Sequence, residues 1–87
     1  MDKFVVTNKN NLELIICNLE GIWENQRDDN ALNNMEDIDI AEGILKVAYD
    51  TFNKSVEIDL NSFPNFGGWF VEAAIENAME DEEWENA

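Results

Sequence analysis

The chain has 87 residues, 45% of them hydrophobic, and carries 20 Asp and Glu against 5 Lys and Arg, for a formal net charge of −15. This length predicts one small domain over residues 1–87. The charge excludes direct binding to nucleic acid or an anionic membrane, and predicts a strongly basic partner or hard cations. The absence of His from the sequence excludes His-based acid–base catalysis and His metal ligation.

The cysteine content and the apolar segments predict the compartment. Cys17 is the one cysteine, so no internal disulfide can form, which fits a reducing compartment. The first ten residues lack the apolar core of a signal peptide. No stretch approaches the roughly 20 apolar residues of a membrane span. We therefore expect a soluble, cytoplasmic protein.

A strand and a long helix are predicted in the N-terminal third. Residues 3–7 are β-branched and aromatic, and the polar residues 8–11 that follow can cap a helix. Over residues 11–26, one face is apolar at helical spacing and consists of Leu12, Ile15, Ile16, Leu19, Ile22 and Trp23. Another face carries a row of carboxylates beside Cys17, namely Glu13, Glu20 and Glu24. These carboxylates predict a raised pKa for Cys17 and hence an inert thiol.

A loop and a second helix are predicted in the middle of the chain. Residues 27–37 are rich in Asn and Asp without apolar periodicity, which predicts the loop. Asp37 or Asp39 can then cap a helix over residues 38–53. Its predicted core face consists of Ala41, Ile44, Leu45, Ala48 and Phe52. Its outer face carries Asp39, Glu42 and Asp50, and Lys46 can pair with either Glu42 or Asp50.

A second strand and a third helix are predicted in the C-terminal third. Residues 55–60 alternate, with Val56, Ile58 and Leu60 inward and the carboxylates between them outward. Residues 62–68 predict a turn, and one amphipathic helix should run from about Trp69 to Ala87. Its predicted apolar arc is Val71, Ala74, Ile75, Ala78 and Met79, and its acidic row is Glu72, Glu76, Glu80 and Glu83.

That acidic row opposes the local stability of the third helix. Like charges four residues apart on a helix cost about 0.2–0.5 kcal/mol per pair. The acidic residues 80–83 also lie at the predicted C-terminal end, where the helix dipole disfavours each anion by roughly 0.3–1 kcal/mol. No Lys or Arg follows them in the sequence. We therefore expect this arrangement to serve binding.

The predicted order β-α-α-β-α indicates an α+β fold. Two strands are marginally stable alone, so a small sheet of two strands, or three, should pack on the three helices. The sequence leaves open whether the strands pair parallel or antiparallel.

The acidic rows suggest mimicry of DNA, against the simpler interpretation that they keep the surface solvated. Carboxylates one helical turn apart repeat every ~6 Å, whereas duplex DNA carries a phosphate every ~3.4 Å of each strand. Aromatic side chains off the core faces are candidate anchors, namely Trp84, Trp69, Tyr49 and Phe66. The predicted partner-binding residues are Glu13, Glu20, Glu24, Asp28, Asp29, Asp39, Glu42, Glu72, Glu76, Glu80, Asp81, Glu83 and Trp84.

Calcium binding and catalysis are weaker interpretations of the same carboxylates. Residues 37–43 resemble an EF-hand loop, but the fifth position is Ala41, the Gly comes one residue late, and the twelfth position is Ala48. A weak hard-cation site could use Asp28, Asp29, Asn30, Asn33 and Asn34. Cys17 has no His to activate it, and the chain has no Gly-rich phosphate loop. We expect no enzyme activity, no metal and no cofactor.

In size and charge the chain resembles the small acidic inhibitors that phages and mobile elements direct against host defence. These are the anti-CRISPR proteins and the DNA-mimic anti-restriction proteins. The resemblance lies in the composition of the whole chain and in Glu13, Glu20, Glu24, Asp28, Asp29, Glu36, Asp37, Asp39, Glu42, Glu57, Asp59, Glu72, Glu76, Glu80, Asp81, Glu82 and Glu83.

The resemblance implies a non-catalytic phage protein that acts in the host cytosol, as a monomer or homodimer. It would occlude a DNA-binding or PAM-reading groove on a CRISPR effector or a restriction nuclease. The alternative is an immunity or antitoxin protein that neutralises a basic nuclease toxin by the same electrostatics. A third possibility is a scaffold or transcription-regulating module that binds a basic partner without inhibiting it.

Overall fold

A computed structural model describes residues 2–86, in which the chain forms three α-helices, a 3₁₀ turn and a two-stranded sheet. The helices and strands follow the predicted order, which confirms the α+β fold. In chain order they are β1 (Lys3–Val6), α1 (Lys9–Asp28), α2 (Leu32–Asp50), β2 (Val56–Asp59), the 3₁₀ turn (Leu60–Ser62) and α3 (Gly67–Met79).

The sheet is antiparallel, which settles the strand direction that the sequence left open. Phe4 lies opposite Ile58 and Val6 opposite Val56. Ile58 and Leu60 are buried and Glu57 is exposed, as the predicted alternation requires, whereas Val56 and Asp59 are both half-buried.

Helix α1 packs against both α2 and α3 and is the centre of the helical layer. The Asn8 side chain caps it by accepting a 2.8 Å hydrogen bond from the backbone N–H of Asn10. The predicted apolar face is confirmed, since Leu12, Ile15, Ile16 and Leu19 are buried and Ile22 and Trp23 are half-buried. The rest of the core comes from α2, α3, the sheet, the 3₁₀ turn and the residue after that turn, notably Val6, Ile38, Leu45, Ile58, Leu60, Phe63, Phe70, Val71 and Ile75.

The predicted loop over residues 27–37 is wrong for most of its length. Only residues 29–31 connect α1 to α2, and Asn30 takes a left-handed φ of 57° there. Asp37 and Asp39 therefore lie inside α2, so neither caps its N-terminus. The helix starts early because contacts distant in sequence hold its first turns, among them the hydrogen bonds that Asp37 accepts from residues 65 and 66.

Two predicted core positions are also wrong. Ile44 is 41% exposed and Met79 is 48% exposed, whereas Ile38 and Phe70 occupy buried positions instead. In α2, the helical phase set by the buried Ile38, Ala41 and Leu45 turns Ile44 towards solvent.

Helix α3 ends at Met79 and does not continue to Ala87, which lies outside the described residues. Glu80 is the C-cap, and we call residues 80–86 the C-terminal segment. Glu83 therefore does not extend the acidic row of α3. The helix dipole and the run of like charges disfavour further helix here, and the segment instead docks on α1.

Candidate partner-binding surface

The C-terminal segment and α1 enclose a groove of about 500 Å³. Its lining brings together carboxylates that are far apart in sequence, Glu13 from α1 and Glu83 and Glu85 from the segment. Asn10, Leu14 and Cys17 complete the lining. The fold thus adds acidic side chains to one flank of the α1 row.

Asn11 and Asn8 hold the C-terminal segment against α1 through hydrogen bonds to Glu85. The buried Asn11 donates from Nδ2 to the carbonyl oxygen of Glu85 over 2.7 Å and accepts from the Glu85 N–H over 2.9 Å. The Asn8 side-chain amide donates to the Glu85 carboxylate. Trp84, proposed above as an anchor, is half-buried and lies against Phe4 with ring centroids 6.2 Å apart. Much of its ring therefore serves the fold.

A second groove, of about 320 Å³, runs between α1 and α2. Trp23 and carboxylates from both helices line it, namely Glu20, Glu24, Asp39 and Glu42. Lys46 Nζ lies 2.6 Å from Glu42 Oε1, which settles the choice of ion pair in favour of Glu42. The hydrogen bond to Glu42, followed by its charge, raises the pKa of Lys46. The pair offsets one of the four negative charges.

A third groove, of about 540 Å³, connects α1 with the end of α3 and includes Cys17, Glu24 and Asp81 in its lining. The three grooves together place seven of the predicted carboxylates on and beside α1. We call this set the α1 acidic surface: Glu13, Glu20, Glu24, Asp39, Glu42, Asp81 and Glu83.

The other predicted carboxylates lie outside these grooves. Glu72 and Glu76 belong to α3, where Glu76 is exposed and Glu72 half-buried, and Glu80 caps that helix. Asp28 ends α1 and lies 3.6 Å from its neighbour Arg27, and Asp29 is the C-cap.

The structure supports the predicted character of Cys17. The pKa of its thiol is raised, first by partial burial and then by the charges of Glu20 and Glu13. A higher pKa leaves less thiolate at neutral pH, and the thiolate is the nucleophile. Within residues 2–86 no group of three or more Cys, Asp or Glu side chains is arranged to hold a metal ion.

Sequence reasoning missed Glu85, gave Asp37 the wrong role and did not rank the aromatic residues by exposure. Glu85 joins the first groove, and Asp37 is buried where it binds the start of α3. Among the suggested anchors, Tyr49 is half-buried with Lys9 Nζ 4.4 Å from its ring centroid, whereas Phe66 and Trp69 are 65% and 67% exposed. Periodicity correctly placed Trp69 off the core face, whereas the exposure of Phe66, which precedes the helix, depends on its distant neighbours.

Comparison of the chain with protein-family models, with curated proteins and with solved structures gave no match. None of the helices in residues 2–86 combines the length and the apolar character needed to cross a lipid bilayer. Function is therefore inferred from the charge and geometry of the chain itself.

Proposed function

We propose that the protein is an acidic, non-catalytic inhibitor that takes the place of DNA in the basic groove of a host defence nuclease in the cytoplasm. A CRISPR effector is the first expectation and a restriction nuclease the second. The α1 acidic surface carries this proposal, because α1, α2 and the C-terminal segment contribute seven carboxylates to three grooves around α1.

The spacing of these carboxylates supports the mimicry. Along α1, Glu20 and Glu24 are separated by ~6 Å, and Glu13 and Glu20 by ~10 Å, at a rise of ~1.5 Å per residue. Packed helices lie ~8–10 Å apart, so Asp39 and Glu42 on α2 form a second line of charge beside the first. A protein groove that normally exchanges counterions for phosphates would be attracted to two such lines, although their charges are sparser than the phosphates of DNA.

The α1 acidic surface offers recognition rather than chemistry. Its carboxylates line open grooves, and Cys17, the nucleophile nearest to them, has a raised pKa. Binding to a basic groove needs only opposite charge in a fixed arrangement, which also raises the association rate at low salt.

The test is a pull-down from host lysate at low and moderate salt, with mass spectrometry and duplex DNA as competitor. We expect a CRISPR or restriction nuclease that DNA displaces. The nuclease should no longer bind the triple variant Glu20→Gln, Glu24→Gln, Asp39→Asn. A matched control neutralises three carboxylates outside the grooves, Glu36→Gln, Asp50→Asn and Glu57→Gln. This control should still bind the nuclease.

Three results would contradict this proposal. Recovery of one small basic toxin would favour the immunity or antitoxin alternative. Equal losses in the triple variant and its control would mean that net charge acts without the α1 acidic surface. If the pull-down retains no host protein, the carboxylates serve only to keep the surface solvated.

A further inference from the structure

Two large aromatic side chains remain exposed at the start of α3. Phe66 and Trp69 are 65% and 67% exposed, and with Asn34 and the buried Phe70 they line a groove of about 350 Å³. Water contact with this much aromatic surface is unfavourable. The groove is large enough for a bulky side chain of another molecule.

The turn that presents Phe66 is fixed by a buried carboxylate. Asp37, 6% exposed, accepts hydrogen bonds from Asn65 Nδ2 at 3.2 Å and from the Phe66 N–H at 3.4 Å. Asn65 takes a left-handed φ of 54°, a conformation that Asn tolerates better than most residues. These bonds place the Phe66 backbone beside α2.

The Trp69 ring is also held in place although it is exposed. It lies edge-to-face on Phe70, with ring centroids 5.0 Å apart and an interplanar angle of 70°. Phe70 is 2% exposed and belongs to the core. An aromatic side chain fixed before binding loses less conformational freedom when a partner covers it.

Carboxylates flank this aromatic groove along α3. Glu72 and Glu76 follow Trp69 by three and seven residues, which places them on the same face of α3. On the other side Asn34 Nδ2 donates to Gln26 Oε1 over 2.9 Å, so uncharged amides form that rim. A second copy of this chain would bring like charges to the α3 carboxylates, whereas a basic partner would bring opposite ones.

We propose that the groove of Asn34, Phe66, Trp69 and Phe70 is the anchor site for the basic partner. It accepts a large apolar side chain that has Arg or Lys on either side of it. Glu72 and Glu76 pair with those cations, and Trp69 supplies an aromatic face for one of them. This inference rests on the proposed function, since it names the chemistry of the same partner.

Two synthetic peptides of equal charge test the anchor, Lys-Arg-Phe-Arg-Lys and Lys-Arg-Ser-Arg-Lys. Each is titrated into the ¹⁵N-labelled full chain and followed by NMR. We expect the Phe peptide to bind about tenfold more tightly than the Ser peptide, and to shift the Trp69 indole and Phe66 amide signals. Trp69→Ala should abolish that advantage, and Phe66→Ser should reduce it. Val47→Ala removes another exposed apolar side chain, on α2, and should leave the advantage intact.

The outcomes separate this inference from the proposed function. Equal, salt-sensitive binding of both peptides would overturn the anchor and leave the acidic surface as a binding site. Failure of both peptides to bind at low salt would overturn the anchor, whereas the proposed function fails only if the pull-down retains no nuclease. Sedimentation that shows a dimer, converted to monomer by Trp69→Ala, would identify a second copy as the occupant and overturn the basic partner.

Discussion

The Asn11 side chain makes two hydrogen bonds with the backbone of Glu85, one as donor over 2.7 Å and one as acceptor over 2.9 Å. Asn11 is 3% exposed and lies in the first turn of α1. A side-chain amide has both a donor and an acceptor, so Asn11 satisfies the backbone C=O and N–H of Glu85 in a segment without regular structure. Through these bonds the C-terminal segment is placed along α1.

Asn11→Ala should release the C-terminal segment. The change removes both bonds to Glu85, so we expect the free energy of unfolding to fall by about 1–3 kcal/mol. Urea denaturation measures this loss, and amide hydrogen exchange should show that Glu85 has lost its protection. The control is Asn10→Ala, an exposed neighbour whose replacement should change stability by less than about 0.5 kcal/mol. Unchanged exchange at Glu85 in Asn11→Ala would show that other contacts hold the segment.

Gly68→Ala should destabilise the fold. A Cβ at this position would lie 2.2 Å from the backbone oxygen of Leu60, so α3 and the 3₁₀ turn would have to separate. Gly43→Ala is the matched control, because a Cβ there meets nothing within 4 Å. In a helix interior this control should gain about 0.5–1 kcal/mol. The melting temperatures of both variants test this prediction. A Gly68→Ala protein as stable as the parent would contradict the close contact between Gly68 and Leu60.

Alkylation of Cys17 should require a higher pH in the folded chain than in the unfolded chain. Burial and the charges of Glu20 and Glu13 raise the pKa of the thiol, so less thiolate is present at a given pH. The same shift means that the folded state loses stability as the pH rises from the ordinary thiol pKa through the raised one. The rate of alkylation by uncharged iodoacetamide is measured as a function of pH, without urea for the folded chain and with urea for the unfolded chain.

Glu20→Gln should bring the alkylation curve of Cys17 to lower pH without making it coincide with the unfolded one, because burial is the larger cause. Glu57→Gln, on the sheet, is the control and should leave the curve in place. If Glu20→Gln leaves the alkylation curve unchanged, the charge of Glu20 does not raise the pKa of Cys17.

Added salt should raise the melting temperature. The chain carries a net charge of −15, and the α1 acidic surface crowds several carboxylates into adjoining grooves. Ions shorten the screening length from ~30 Å at 0.01 M to ~8 Å at 0.15 M, which reduces this repulsion. The triple variant Glu20→Gln, Glu24→Gln, Asp39→Asn should show a smaller salt effect. A melting temperature that is flat or falls over this range would mean that repulsion does not limit stability.

The sequence predicted those parts of the fold whose periodicity is regular, and failed where distant contacts decide. The apolar spacing along α1 and the alternation of Val56 and Ile58 gave the correct elements. The start of α2 has no such spacing, and its helix depends on Asp37 and Asn34 bonding to residues outside it. The regular Glu spacing after Met79 suggested more helix, but the segment beyond it binds Asn11 instead.

In the candidate site too, regular periodicity predicted some features and distant contacts determined the others. Helical phase placed Glu13, Glu20 and Glu24 on one exposed face of α1, as the structure shows. Nothing in the sequence indicated that Asp39 and Glu42 from α2 would lie beside them, or that Glu83 would cover the other flank. Those neighbours follow from the central position of α1, which is a property of the tertiary structure.

The contact between Asn11 and Glu85 also sets an expected order of folding. Helices α1 and α2 are joined by residues 29–31, so their mutual contacts close short loops, whereas this contact spans 74 residues. Loop-closure entropy grows with the length closed, and segments held by few contacts open first. We therefore expect the groove with Glu13 and Glu83 to form last and to open first. The groove between α1 and α2 should already exist once those helices have paired.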